Sequence, residues 1–281
     1  MTSSRVSRYD LHSHSTYSDG VMRPAELLER AAQRGVQALA LTDHDEVSGL
    51  GNARSAAEAA GIELIDGVEV SVSWHGHTLH VVGLHVDPSN AVLLEGLRAN
   101  RSGRAERAAR MSAELEKIGI PGTLEGARAF VTNPELVSRT HFARYLVASG
   151  LARNTQAVFE RYLGAGKPGY VPHLWASLEH AITWIASAGG LPVLAHPGRY
   201  KLDESERDTL LASFKALGGA GIEVVTGSHT PDQFGYWGER ARKHDLLASV
   251  GSDFHGPRES YRDLGDLPPL PPGCTPIWQR F

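Results

Sequence analysis

Residues Leu191–His255, LPVLAHPGRYKLDESERDTLLASFKALGGAGIEVVTGSHTPDQFGYWGERARKHDLLASVGSDFH, decide the fold class. The apolar runs Leu191–Ala195, Ile222–Val225 and Leu246–Val250 are short and bounded by Gly and polar turn residues, so they read as buried strands. Between them, Ser205–Leu217 and Pro231–Lys243 carry apolar residues at helical spacing, and Pro231 suits a first helical turn. Strand and helix in alternation imply a parallel sheet covered by helices. Each strand runs straight into polar residues: His196-Pro197-Gly198, Thr226-Gly227-Ser228-His229 and Gly251-Ser252-Asp253-Phe254-His255. In barrels made of such units the active site lies at the C-terminal strand ends.

The same rhythm opens the chain. Tyr9–Leu11 reads as a strand ending at His12, Pro24–Arg34 as a helix, and Ala38–Leu41 as a strand followed by Thr42-Asp43-His44. Ser48–Ala60 is an Ala-rich helix, and Glu63–Ser73 and Thr78–Val86 are two further strands. In the first of these, Val68, Val70 and Val72 alternate with Glu69, Ser71 and Ser73, which predicts one apolar and one polar face. From Ala91 to about Leu163 the strand signal vanishes and helical periodicity takes over. Arginines crowd this stretch (Arg98, Arg101, Arg104, Arg107, Arg110, Arg128, Arg139, Arg144, Arg153 and Arg161), and most of them read as solvated helix faces. The expected organisation is a barrel made of residues 1–99 and 166–281, with a small helical insertion over 100–165 covering the active site.

A chain of 281 residues with 41% hydrophobic and 21% charged content can bury one large core. Its net charge of -4 argues against a surface that grips long nucleic acid, but leaves room for a small anionic substrate. The single cysteine, Cys274, excludes an intrachain disulfide and a Cys-based zinc site. The N-terminal residues lack the apolar segment of a secretory signal, and no run is long enough to span a membrane. A cytoplasmic location and no membrane partner are therefore expected.

The outlying number is 14 histidines, several beside acidic residues. The candidates are His12 and His14 in DLHSHS, Asp19 in YSDG, His44 in TDHD, Glu69 in GVEVS, His80 in HTLHVVG, His196 in AHPG, and Asp253 and His255 in SDFH. Most fall at or just past a strand end, and His80 lies early in its strand. His-x-His on an extended segment puts both imidazoles on one side, and the same spacing relates Asp253 to His255. Taken singly, each has an ordinary alternative role. A lone His is usually a hydrogen-bonded residue, an Asp after a strand a helix cap, and Asp19 before Gly20 a turn residue. Together, near so many strand ends, they point to metal. Imidazole with carboxylate suits Mn²⁺, Fe²⁺ or Zn²⁺, and paired ions suit phosphoryl transfer.

The ordered strings DLHSHSTYSDG, LTDHD, GVEVS, HVVG, AHPG and GSDFH resemble the PHP (polymerase and histidinol phosphatase) family of metal hydrolases, over nearly the whole chain. The resemblance implies a distorted (β/α)₇ TIM-like barrel and a trinuclear metal site, with Mn²⁺ the favoured ion. By it, His12, His14, Glu69 and Asp253 would hold one metal, Glu69, His80 and His196 a second, and Asp19, His44 and His255 a third. His75, His77 and His85 crowd the same hairpin as His80, and His85 is its main rival. The segments SRTHFARYLV and LGAGKPGYVP look like the 3′,5′-nucleoside bisphosphate phosphatase branch, which includes enzymes that trim short 5′-phosphorylated RNA. That likeness implies hydrolysis of the 3′-phosphate of a small anionic nucleotide, such as adenosine 3′,5′-bisphosphate to AMP, by a metal-bound hydroxide. Arg139, His141, Lys167, Arg199 and His229 are the candidate substrate contacts, with Arg199 and His229 as catalytic candidates and His229 as a general acid. Alternatives are a 5′-to-3′ exonuclease on short RNA, a histidinol-phosphate-type phosphatase, an amide or lactone hydrolase, and a non-catalytic metal-binding module.

Overall fold

The computed structural model describes residues 8–281, so the first seven residues of the segment 1–99 lie outside the described residues. The barrel strands are β1 (Tyr9–Asp10), β2 (Ala38–Leu41), β3 (Glu63–Trp74), β4 (His77–Leu84), β5 (Ala176–Ser177), β6 (Leu191–Leu194), β7 (Gly221–Thr226) and β8 (Leu247–Gly251). They lie in the order β1-β2-β3-β4-β6-β7-β8, with the short β5 beside β3. The ends of this row meet: Leu11 N–H donates to the Val250 carbonyl at 3.0 Å, and Ser13 bridges to Phe254 in parallel. The result is a nearly closed, distorted α/β barrel of seven strands, as the strand–helix rhythm implied. Gly251 makes the closure possible, because a Cβ there would come 2.4 Å from that of His12.

One strand breaks the parallel pattern. β4 pairs antiparallel with both β3 and β6. Only His75 and Gly76 separate β3 from β4, far too few residues for a parallel crossover, and Gly76 supplies a φ of 82° for the turn. The reversal has a functional consequence. The beginning of β4 shares the barrel end at which the parallel strands finish, so His80, early in its strand, reaches the same mouth as the other candidates.

Helices α1 (Pro24–Gln33), α2 (Gly49–Ala60), α3 (Ala91–Ser102), α8 (Leu178–Ser187), α9 (Glu204–Ala216) and α10 (Pro231–Lys243) surround the sheet. Val68, Val70 and Val72 of β3 pack outward in one core with Leu27, Leu28, Ile182 and Phe214. A second core, with Leu11, Ala40, Ile65, Val82 and Val193, includes Ile277 from the C-terminal tail. The Pro-rich tail is thus tied down: Ala248 N–H donates to the Thr275 carbonyl at 2.8 Å, and Trp278 stacks on Tyr9 with ring centres 4.6 Å apart.

The remaining helices, α4 (Arg104–Lys117), α5 (Thr123–Arg128), α6 (Arg139–Ala148) and α7 (Thr155–Val158), gather around their own core of Met111, Leu115, Phe142, Leu146, Val158 and Leu163. α3 sides with the barrel, since Leu93 and Leu97 join the main core. Arg98, Arg110, Arg128, Arg153 and Arg161 are exposed as expected, but three arginines of this stretch depart from the expectation of solvated faces. Arg104, Arg107 and Arg144 are each less than a tenth exposed. Arg104 pairs with the fully buried Asp45, and Arg144 pairs with Glu259 at 2.7 Å and donates to the Asp19 carbonyl. A helix face carrying arginines is buried here because it packs on the barrel mouth, where acidic and carbonyl oxygens await it. Among the described residues no helix is long and apolar enough to cross a membrane.

Candidate metal centre

The mouth is built around Glu69, which the alternation along β3 turns inward and which is fully buried. Glu69 Oε1 lies 3.0 Å from His80 Nδ1, 3.0 Å from His196 Nε2 and 3.2 Å from His12 Nε2. Glu69 Oε2 lies 2.8 Å from His44 Nδ1 and 3.5 Å from His14 Nε2. His12 and His14 present their Nε2 atoms 3.1 Å apart, on one side of an extended segment. Asp253 Oδ1 stands 3.3 Å from His14 and 3.5 Å from His12, and Asp19 Oδ1 stands 3.3 Å from His255 and 3.6 Å from His44. All the candidate ligands therefore converge. The loop at Asp253 does so differently from the extended segment expected of it: Asp253 has φ 54° and His196 has φ 29°. Such left-handed backbone is costly outside glycine and clusters at functional sites.

The neighbouring histidines of the hairpin stay out. His85 is exposed and packs edge-on against Phe281 at the other end of the barrel, while His75 stacks on Trp74.

Several of the converging atoms are buried without a hydrogen-bond partner: Asp19 Oδ1, Glu69 Oε2, His14 Nδ1, His44 Nδ1 and His196 Nδ1. Unsatisfied buried polar atoms are expensive, and cations would satisfy the carboxylates. Within this cluster, His14, Asp19, His44 and His255 offer ligand atoms within 4.8 Å of one another, as do His12, His14 and Asp253, and His44, Glu69 and His80. The donor set is nitrogen and oxygen without thiolate, so it fits several divalent ions of the Mn²⁺, Fe²⁺ and Zn²⁺ kind.

The charges are tightly coupled. Burial alone would raise the Glu69 carboxyl, yet His80, His12 and His44 hold it well below the usual carboxylate range. Burial likewise opposes ionisation of Asp253 and Asp19, and the imidazoles beside them again prevail. Burial pushes His14 down to about 3, helped by His255 and His44, and pushes His196 down to about 3, helped by Arg199. Against burial, Asp19 lifts His255 to about 9. Neutral imidazoles and ionised carboxylates are the forms that bind metal.

Two supporting carboxylates escaped the sequence reading. Glu223 is buried inside β7; its Oε1 accepts from His12 Nδ1 at 2.8 Å and its Oε2 accepts from the His196 backbone N–H at 2.6 Å. The first contact fixes the His12 tautomer that points Nε2 at the cluster. Asp43 ties down the His14–Asp19 loop by accepting from Ser15 N–H at 2.8 Å and from the Ser15 and Ser18 hydroxyls. Glu223 was legible only as part of an apolar strand run.

The cluster opens into a cavity of about 580 Å³ whose walls include Arg104, Arg107, Arg139, Arg199, Arg258, Phe159 and Trp175. Arg199 is half exposed and reaches Asp253 Oδ2 at 3.0 Å. Of the expected substrate contacts, Arg139 and Arg199 line the cavity; His141, Lys167 and His229 do not. His141 is buried and accepts from Ser138 N–H at 3.0 Å, capping α6. Lys167 is exposed in a turn after Gly164. His229 is buried with both ring nitrogens on backbone: Nε2 accepts from Gly198 N–H at 2.9 Å and Nδ1 donates to the Val224 carbonyl at 3.1 Å. It therefore braces the turn that carries Arg199.

A barrel mouth with this cluster and an arginine-lined cavity defines a metal-dependent hydrolase of the α/β-barrel kind. The chain belongs to the PHP domain family, whose model matches residues 10–226. It is 51% identical to a 3′,5′-nucleoside bisphosphate phosphatase of Chromobacterium violaceum, over 98% of this chain and 97% of that protein. It is 42% identical to a 5′-3′ exoribonuclease of Haemophilus influenzae, over 98% of this chain and 99% of that one. A solved structure of an amidohydrolase from Chromobacterium violaceum, with bound sulfate and no metal, superposes with a TM-score of 0.95 at 50% identity, covering 98% of this chain and 95% of that chain.

Proposed function

We propose that the protein is a metal-dependent phosphoesterase that removes the 3′-phosphate of nucleoside 3′,5′-bisphosphates, adenosine 3′,5′-bisphosphate giving AMP. The observation that carries this reading is a cavity lined both by the imidazole–carboxylate cluster and by arginines. The family relationship and the bisphosphate phosphatase relative support it.

In this reading His12, His14, Glu69 and Asp253 hold one divalent ion, Glu69, His80 and His196 a second, and Asp19, His44 and His255 a third, with Mn²⁺ the favoured metal. Bound ions would supply Lewis-acid neutralisation of phosphate charge and acidify water. The protein's own groups do the rest. Glu223 keeps His12 in one tautomer, and Glu69 shares its two oxygens among the ligand histidines. Arg199 offers its guanidinium to phosphate oxygens beside Asp253, and Arg139 offers another from the start of α6. The segment 100–165 acts as the cover that orients substrate and limits water. A cytoplasmic location fits this chemistry.

The Haemophilus influenzae relative favours a second reading, exonucleolytic release of nucleotides from short 5′-phosphorylated RNA. The two are separated by incubating Mn²⁺-loaded protein with adenosine 3′,5′-bisphosphate, 3′-AMP, 5′-AMP, histidinol phosphate and a short 5′-phosphorylated RNA. Preferred phosphate release from the bisphosphate, with AMP as product, is expected. Preference for the RNA would select the second reading, and inertness towards all five would refute both.

A further inference from the structure

We infer that Tyr200 is a positioning residue whose hydroxyl sets the separation of His80 and His196, two candidate ligands of one ion; the assignment rests on the metal-centre reading above. Strands β4 and β6 run antiparallel, with Val82 opposite Val193 and Val81 opposite Leu194, so His80 and Ala195 are the next pair in register towards the mouth. In an antiparallel ladder every second pair exchanges two backbone hydrogen bonds. At this pair one of them is present: Ala195 N–H donates to the His80 carbonyl at 3.1 Å. The reciprocal bond is relayed. His80 N–H donates to the Tyr200 hydroxyl at 2.9 Å, and that hydroxyl donates to the Ala195 carbonyl at 2.8 Å. A side-chain oxygen thus stands in the ladder where a single N–H···O contact would close it. Two bonds in series span more than one, so the strands are held open at this point.

The pair held open is the one that presents the ligands. His80 is one of its members, and His196 directly follows the other. From these two backbones, His80 Nδ1 and His196 Nε2 each come to 3.0 Å from the same oxygen, Glu69 Oε1. The two imidazoles stand edge to face with centres 5.2 Å apart, and the Tyr200 ring packs edge-on against His196 at 5.6 Å. Tyr200 is partly buried and does not line the cavity, so it acts on the ligands through their backbones rather than on substrate. Its own place is set by the tight turn Pro197–Arg199, which its N–H closes by donating to the Pro197 carbonyl at 3.3 Å. Without the hydroxyl, the His80 N–H and the Ala195 carbonyl have two courses. They stay apart and unsatisfied, which is costly, or they close on each other and draw β4 towards β6. Both courses displace His80 relative to His196. Contacts that orient metal ligands in this way govern affinity for the ion.

The test uses Tyr200→Phe, which removes the hydroxyl and keeps the ring. Mn²⁺ bound per chain is counted by equilibrium dialysis across a titration of chelated protein, with phosphate release from adenosine 3′,5′-bisphosphate followed alongside. One class of ion should bind roughly tenfold to a hundredfold more weakly in Tyr200→Phe, while the remaining ions bind as in the wild type and activity tracks the weakened class. Tyr236→Phe, which removes a hydroxyl that donates to Glu204 away from the cavity, should keep the wild-type titration. Urea unfolding of the metal-free proteins separates positioning from a merely structural role. A wild-type Mn²⁺ titration in Tyr200→Phe, with or without a loss of stability, would overturn the inference and leave the metal centre intact. An equal weakening of every ion would show a general loosening of the mouth and overturn it too. A wild-type protein that binds no Mn²⁺ would overturn both the inference and the reading on which it rests.

Discussion

Replacing Glu223 by Gln should weaken metal binding although Glu223 is not itself a candidate ligand. Its two oxygens accept from two different donors, His12 Nδ1 at 2.8 Å and the His196 backbone N–H at 2.6 Å. Glutamine has one acceptor oxygen, so its amide nitrogen must face one of those donors. Either His12 loses the partner that sets its tautomer, or the turn at His196 loses its anchor. Loss of such a supporting partner typically costs ten- to a hundredfold in metal affinity, about 1.4–2.7 kcal/mol. The assay is phosphate release against free Mn²⁺, paired with metal counted per chain after equilibrium dialysis. The midpoint should move ten- to a hundredfold towards higher Mn²⁺, with much of kcat recovered at saturation. Glu223→Asp should fall short too, because a side chain one methylene shorter cannot reach both donors. A Glu223→Gln protein with the wild-type Mn²⁺ dependence would refute the reasoning.

Asp45→Asn leaves Arg104 buried and without its charged partner, and should cost about 3–5 kcal/mol of stability, read by urea unfolding of metal-free protein; a loss under about 1 kcal/mol would show that the pair holds little of α4 in place. His229→Gln should lower kcat by weakening the brace under Arg199, while the acid and base limbs of the pH–rate profile keep their positions; disappearance of one limb would restore His229 as a proton donor. Metal-free protein should lose stability as pH falls from about 6.5 towards 4. In that window His14 and His196, pushed down to about 3, and His141 and His229, pushed down to about 4, resist protonation only when folded. Each depressed imidazole contributes stability above its unfolded pKa and loses it on acidification, at up to about 1.4 kcal/mol per pH unit. His255, lifted to about 9, has the opposite sign: its contribution is complete below about 6.5 and fades as pH rises through 9. A flat midpoint between pH 6.5 and 4 would contradict these environments.

The parts of the site that local rules govern were legible in the sequence. His12 and His14 face one way because an extended chain repeats every two residues, and Glu69 faces inward because valines occupy the alternate positions of β3. The direction of β4 was implicit in the short gap at His75 and Gly76, and it brings His80 into the mouth and sends His85 to the far end. What sequence could not supply depends on contacts between distant segments. Glu223 reads as one polar residue in an apolar strand until the fold brings the His12 ring and the turn at His196 up to β7. Arg104 and Arg107 look like any charged helix face until Asp45 and Trp175 are packed against them. His229 follows a strand end as the ligands do, yet its ring nitrogens are satisfied by Gly198 and Val224 before any substrate arrives.

The central claim is that the imidazoles and carboxylates gathered around Glu69 bind the divalent ions on which phosphate release depends. The direct measurement is metal counted per chain together with phosphate release from adenosine 3′,5′-bisphosphate, as chelated protein is titrated with Mn²⁺, in the wild type and in Glu69→Gln. On the order of two to three ions per wild-type chain are expected, with activity rising as they bind and both collapsing in Glu69→Gln. Full phosphate release from metal-free protein, or wild-type metal content and turnover in Glu69→Gln, would contradict the account.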